Sequence, residues 1–174
     1  MTRKLSLFCL VCLLWPLPWL SGAQANPRYD LAFKHWGEFY LPWQDWRWWK
    51  AQGIAESGLN QAALGSEGEI GVMQLLPRTA ELLRVDPFDA ESNIQGGIKY
   101  DRQLWDRWAG ATDHRELMFA SYNAGPANVQ RASKIEGSTV WWIVARGLTV
   151  VTGAHAEDTI AYVDGINQNY SELR

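Results

Sequence analysis

Apolar positions along the chain recur mostly at helical spacing. Over 30–40 they fall at Leu31, Phe33, Trp36, Phe39 and Tyr40, close to one per 3.6 residues, and Pro42 closes the element. A second helix is predicted from Trp43 to Glu56, with Gly58 placed where a C-terminal cap is wanted. The stretch 65–71 has three glycines in seven residues, which breaks helical periodicity and predicts a loop or small β-hairpin. Pro77 suits the first turn of a helix through Leu83, and Asp89 or Ser92 can cap a long one carrying Ile94, Ile98, Tyr100, Leu104, Trp105 and Trp108. Leu117 to Asn123 is broken by Gly125-Pro126. Three further elements follow: Ala127 to Ser133, Trp141 to Arg146 after Ser138, and Thr159 to Tyr170. The pattern predicts a mainly α (α+β) domain of roughly six to eight helices with one core and a cleft.

The first 25 residues change this picture. Arg3 and Lys4 give a basic start, Leu5 to Leu20 an apolar run, and Ala23-Gln24-Ala25 a small-residue cleavage site, so a signal peptide over 1–25 and a mature domain over 26–174 are expected. Interrupted by Pro16 and Pro18, the run is short of the roughly 20 residues of a membrane span; an uncleaved anchor is the alternative, and no stable membrane insertion is expected after cleavage. Both cysteines, Cys9 and Cys12, lie in this segment, so the mature domain is held by packing without disulfides. Losing Arg3 and Lys4 leaves 14 basic against 19 acidic residues. Such a domain has no general attraction for nucleic acid or anionic lipid, and its partner must fit a shaped site.

Several chemistries lack their residues. His35, His114 and His155 are far apart and without cysteine partners, so no metal and no cofactor is expected. There is no Gly-x-Ser-x-Gly elbow and no phosphate-cradling glycine loop; Gly96-Gly97 lies in a helical pattern and marks close packing. What remains is a carboxylate, Glu56, at the end of an element carrying Trp43, Trp46, Trp48 and Trp49 and followed by Ser57. Apolar neighbours raise a carboxyl's proton affinity because the charged form loses its hydration, and a general acid needs that near neutral pH.

Four segments then stand in order: Glu56-Ser57-Gly58-Leu59-Asn60, Gly68-Glu69-Ile70-Gly71-Val72-Met73-Gln74, Ala120-Ser121-Tyr122-Asn123-Ala124-Gly125 and Asp158-Thr159-Ile160-Ala161-Tyr162-Val163. Together they resemble the motifs of lytic transglycosylases of the soluble (SLT) type, over about Trp46 to Ile166. Asp86-Pro87, Asn93-Ile94 and Gly97 to Tyr100 resemble that family's connecting helix. The resemblance implies a lysozyme-like fold that acts on peptidoglycan glycan strands in the periplasm or cell-wall space. There it would cleave the β-1,4 bond between N-acetylmuramic acid and N-acetylglucosamine and leave 1,6-anhydromuramyl ends. It implies Glu56 as the single catalytic acid/base, with Ser57, Met73, Gln74, Tyr122, Asn123 and Tyr162 binding substrate or orienting the acid.

Goose-type lysozymes share much of this pattern and hydrolyse the same bond, usually with a second carboxylate. Glu67 and Glu69 offer one, Glu69 standing where the transglycosylase pattern has a small residue; both are expected to face solvent. A catalytically weak wall-binding component is a third reading, opposed by the Glu56-Ser57 pair. Gly65 stands where the family often has Ser, Gln61 where it often has Pro, and Ser121 where Ala is common. Thr149 to Ala156 looks longer than usual and reads as a tolerated insertion or a flap. Of the 11 tryptophans, Trp36, Trp43, Trp46 and Trp49 are expected in the core behind Glu56, and Trp48 on the surface or against sugar.

Overall fold

The computed structural model describes residues 27–174; the expected signal peptide, with Trp15 and Trp19, lies outside them. A short 3-10 turn, Pro27–Tyr29, leads into α1 (Asp30–Tyr40), α2 (Arg47–Ser57), α3 (Pro77–Leu83), α4 (Ala90–Arg107), α5 (His114–Ala124), α6 (Pro126–Glu136), α7 (Trp141–Thr152) and α8 (His155–Glu172). Among the described residues no helix is long and apolar enough to cross a membrane.

Helix α2 is the central element. Trp48 through Gly53 are all buried, which requires neighbours on more than one side. Helix α1 packs along it, and α8 lies against it, where Asn169 Nδ2 donates to the Ala51 carbonyl at 3.1 Å. The helix begins at Arg47 rather than Trp43, because the Asp45 carboxylate accepts the Arg47 N–H at 3.1 Å. It ends at Gly58, whose positive φ of 63° turns the chain so that the Leu59 N–H reaches back to the Gly53 carbonyl at 3.3 Å.

The tryptophans divide differently from the expected stripe. Trp49 is fully buried, and Trp36 and Trp46 are half-buried. Trp43 is 53% exposed: it precedes the helix, so helical spacing does not govern it, and it rests beside Trp105 and under the Arg102 guanidinium. Trp48, expected on the surface or against sugar, is buried between Tyr170, stacked at 3.6 Å, and Arg115, 3.9 Å from its ring centre. Trp49 lies seven residues before Glu56 on the same helix, about 10 Å along its axis, so it stands behind the carboxyl rather than beside it.

The expected β-hairpin is reduced to two isolated antiparallel bridges, Leu64 with Ile70 and Ile70 with Leu75. One buried side chain anchors the loop. Asn93 of α4 donates to the carbonyls of Ile70 at 2.8 Å and Pro87 at 3.0 Å, and accepts from Met73 N–H at 2.7 Å. Gly71, with φ +78°, makes this possible, since a Cβ there would stand 2.7 Å from the Asn93 amide nitrogen. The segment Thr149 to Ala156 is mostly helical, and its Val151, Thr152 and His155 line a surface recess. The segment comprises the end of α7, a turn at Gly153 and the start of α8.

Candidate active site

The last turn of α2, the 58–76 loop, the end of α5 and the first turns of α8 meet around an open groove. It consists of three adjoining recesses. The middle one, about 290 Å³, is lined by Glu56, Glu69, Gln74, Tyr122 and Asn123 among others. One neighbour, about 740 Å³, runs past Glu67, Glu69 and Asn123 to Thr152, His155 and Asp158; the other, about 270 Å³, runs past Gln74, Tyr122 and Asn123 to Thr79 and Tyr100.

Glu56 sits at the floor of the middle recess. Tyr162, from α8, donates its hydroxyl to Glu56 Oε1 at 2.5 Å. Burial pushes the Glu56 carboxyl up to about 8, the Tyr162 hydrogen bond opposes the shift, and the charge of Glu69 adds to it. Glu56 therefore holds its proton at neutral pH while facing the groove.

The other sequence-predicted residues play distinct parts. Gln74 lines the middle recess in a left-handed conformation, φ 45°, with its amide nitrogen donating to the Gly71 carbonyl at 2.8 Å. Asn123 is exposed in all three recesses, and Thr159 donates its hydroxyl to Asn123 Oδ1 at 2.8 Å. Tyr122 lines the wall and donates to the Met73 carbonyl at 2.8 Å. Three of the expected substrate contacts do not line these recesses: Tyr162, which reaches Glu56 instead, and Met73 and Ser57. The Met73 side chain is fully buried against Gly97, so its contribution is the carbonyl that fixes Tyr122. The Ser57 side chain donates to the Val72 carbonyl at 2.8 Å and accepts from Asn60 N–H at 3.0 Å, tying the loop to the helix end.

Of the two loop carboxylates, Glu67 is exposed as expected, and Glu69 is not. Glu69 turns into the groove, where its Oε2 accepts the Glu67 N–H at 2.9 Å. Gly65 leaves the room: a Cβ on it would lie 2.2 Å from Glu69 Oε2. The two departures noted at 65 and 69 are therefore one, an absent side chain accommodating a larger one. Sequence reading also passed over Gln52 and Asp101, both fully buried beneath the site. The signal was there, because Asp101 lies on the same stripe of α4 as Ile94, Ile98 and Leu104.

A helical domain that sets one protonated carboxyl at the floor of an open polar groove has the layout of the lysozyme-like class. The chain belongs to the Transglycosylase SLT domain family, whose model matches residues 47–143. It is 29% identical over 167 residues to "Membrane-bound lytic murein transglycosylase F" of Shewanella woodyi and 28% identical over 167 residues to the protein of that name in Shewanella frigidimarina. Each alignment covers 84% of this chain and 34% of the relative, so the chain spans about a third of their length. Its fold is that of an inactive mutant of lytic transglycosylase Slt from Pseudomonas aeruginosa (TM-score 0.69, 19% identity, 85% of this chain and 24% of that one). The 70 kDa soluble lytic transglycosylase of Escherichia coli has it too (TM-score 0.64, 18% identity, 84% and 24%).

Proposed function

We propose that this domain is a peptidoglycan lytic transglycosylase with Glu56 as its single acid/base. The observation that carries the reading is a carboxyl kept protonated at neutral pH, clamped by Tyr162 and open to a groove that extends to both sides of it. Glu56 gives its proton to the glycosidic oxygen between N-acetylmuramic acid and N-acetylglucosamine as positive charge develops at the muramic anomeric carbon. The substrate's own N-acetyl oxygen stabilises that charge. Glu56, now a carboxylate favoured by the Tyr162 hydroxyl, takes the proton from the C6 hydroxyl as its oxygen closes on the anomeric carbon, giving the 1,6-anhydro end and restoring the acid. Gln74, Tyr122 and Asn123 orient the sugars along the wall, while Ser57 and Met73 hold the loop that presents them.

The relatives named membrane-bound murein transglycosylases support action at the cell wall. The domain, from Asn26 onward, works there on glycan strands after removal of residues 1–25. Mass spectrometry of muropeptides from digested sacculi tests the reading: 1,6-anhydro products are expected, and their absence refutes it.

Glu69 favours one second reading, a minor hydrolytic outcome. A carboxylate in the groove beside the acid can activate water, as the second carboxylate of a hydrolase does. The same spectra test it through the fraction of products with reducing rather than anhydro ends, which Glu69→Gln lowers if the reading holds.

A further inference from the structure

Gln52 of α2 and Asp101 of α4 face one another in the core, Gln52 one helical turn before Glu56. Both are fully buried, and Gln52 Nε2 donates to Asp101 Oδ1 at 3.3 Å. Each has one atom left over. Gln52 Oε1 and Asp101 Oδ2 are both among the buried side-chain atoms without a hydrogen-bond partner in the described residues. With Asp101 ionised, both leftovers are acceptors and neither can serve the other. A single proton on Asp101 Oδ2 changes this, turning it into the donor that Gln52 Oε1 lacks and closing a two-bond carboxylic acid–carboxamide ring.

The surroundings agree with the neutral form. Burial pushes Asp101 well above the ordinary carboxyl range, the Gln52 hydrogen bond opposes this, and a negative charge on Glu56, whenever that acid ionises, raises Asp101 further. The titratable groups around it are Tyr100 on its own helix, Tyr122 from α5 and Tyr162 from α8, all raised by burial and by the charge of Asp101 or Glu56. Lys50, the buried cation of α2, pairs with Asp30 of α1 at 2.5 Å.

We propose that Asp101 is held as a neutral carboxylic acid by this two-bond pairing with Gln52. The pair is a positioning element for Glu56: it fixes the last turns of α2 and keeps a second negative charge from beneath the acid, so that Glu56 can pass between its protonated and ionised forms. The positioning role rests on the acid/base reading of Glu56; the protonation of Asp101 does not.

The test uses the full chain. With aspartate labelled by ¹³C at the carboxyl, wild type at pH 7 should show one carboxyl carbon at the shift of a protonated acid, missing from Asp101→Asn. Finding every aspartate at the carboxylate shift overturns the pair. That measurement stands whether or not the chain proves lytic. In sacculus lysis, Asp101→Asn, which preserves both hydrogen bonds without a charge, should keep kcat within about twofold and leave the alkaline limb in place. Asp101→Leu, assayed well below its Tm, should lose kcat on the order of tenfold with KM unchanged, because α2 loses its fixed footing under Glu56. A limb moved to lower pH in Asp101→Asn means that Asp101 carries charge in the wild type and overturns the proposal. Full kcat in Asp101→Leu overturns the positioning role.

Discussion

Tyr162 and Glu56, 106 positions apart in the chain, share a hydrogen bond of 2.5 Å that ties the last helix to the end of the second. The bond favours the ionised form of Glu56, the form the acid must adopt midway through the proposed reaction. Tyr162→Phe should lower kcat roughly 10- to 100-fold, the equivalent of about 1.5–3 kcal/mol for a hydrogen bond to a charged group. It should also move the alkaline limb of the pH profile upward, since Glu56 then keeps its proton longer. Turnover of sacculi between pH 5 and 9 measures both effects.

Glu56→Gln removes the proton donor and should cost at least about 10²- to 10⁴-fold in lysis. It also reports on stability. Folding raises the Glu56 carboxyl from the ordinary 4.5 to about 8, so in that window the folded chain holds a proton that the unfolded chain gives up. Wild type therefore loses stability as pH rises through it, by at most about 1.4 kcal/mol per pH unit and less to the extent that the groove admits water. The variant lacks this loss. Its Tm should match that of wild type near pH 4.5, exceed it increasingly toward pH 8, and hold the gap thereafter.

Gly65 and Glu69 should behave as a coupled pair. Gly65→Ser puts a side chain where the Glu69 carboxylate lies and should cost about 1–3 kcal/mol or expel Glu69 from the groove. Adding Glu69→Ala should recover most of that loss. A thermal-denaturation double-mutant cycle measures the coupling, and simple additivity of the two changes would contradict the packing described. Glu69→Gln alone should shift the alkaline limb of lysis to lower pH, because the charge of Glu69 helps hold the proton on Glu56.

Asn93 holds the loop with three hydrogen bonds. Asn93→Ala leaves the Met73 N–H and the carbonyls of Ile70 and Pro87 without it and should cost about 3 kcal/mol or more. Because the same loop carries Gln74 and the Met73 carbonyl that positions Tyr122, KM for glycan strands should rise as well. Chemical denaturation and steady-state lysis separate the two effects.

Much of this arrangement was legible in the chain because helix signals are local. Gly58, Pro77 and Asp89 mark ends that the fold respects, and the ordered motifs carry Glu56, Gln74, Tyr122, Asn123 and Tyr162 to one groove. The misreadings concern side chains whose direction depends on distant partners. Helical spacing could not place Trp48 inward, because what buries it is a stack with Tyr170 near the other end of the chain. Nor could a glycine-rich loop reveal that Glu69 turns inward, since the space it fills is defined by what Gly65 lacks. Asp101 stands on the apolar stripe of α4, but its partner Gln52 lies on another helix 49 positions away, so no local pattern pairs the two.

The position of α8 sets an order on assembly. Its residue Tyr162 completes the acid and its residue Tyr170 covers Trp48, so both ends of α2 wait for a segment synthesised more than a hundred residues later. A nascent chain that has already made the groove's loop and walls still has Glu56 without its clamp. On the proposed acid/base reading, the domain completes its chemistry only when its final helix docks, and a chain halted before Tyr162 carries Glu56 without the partner that favours its ionised form.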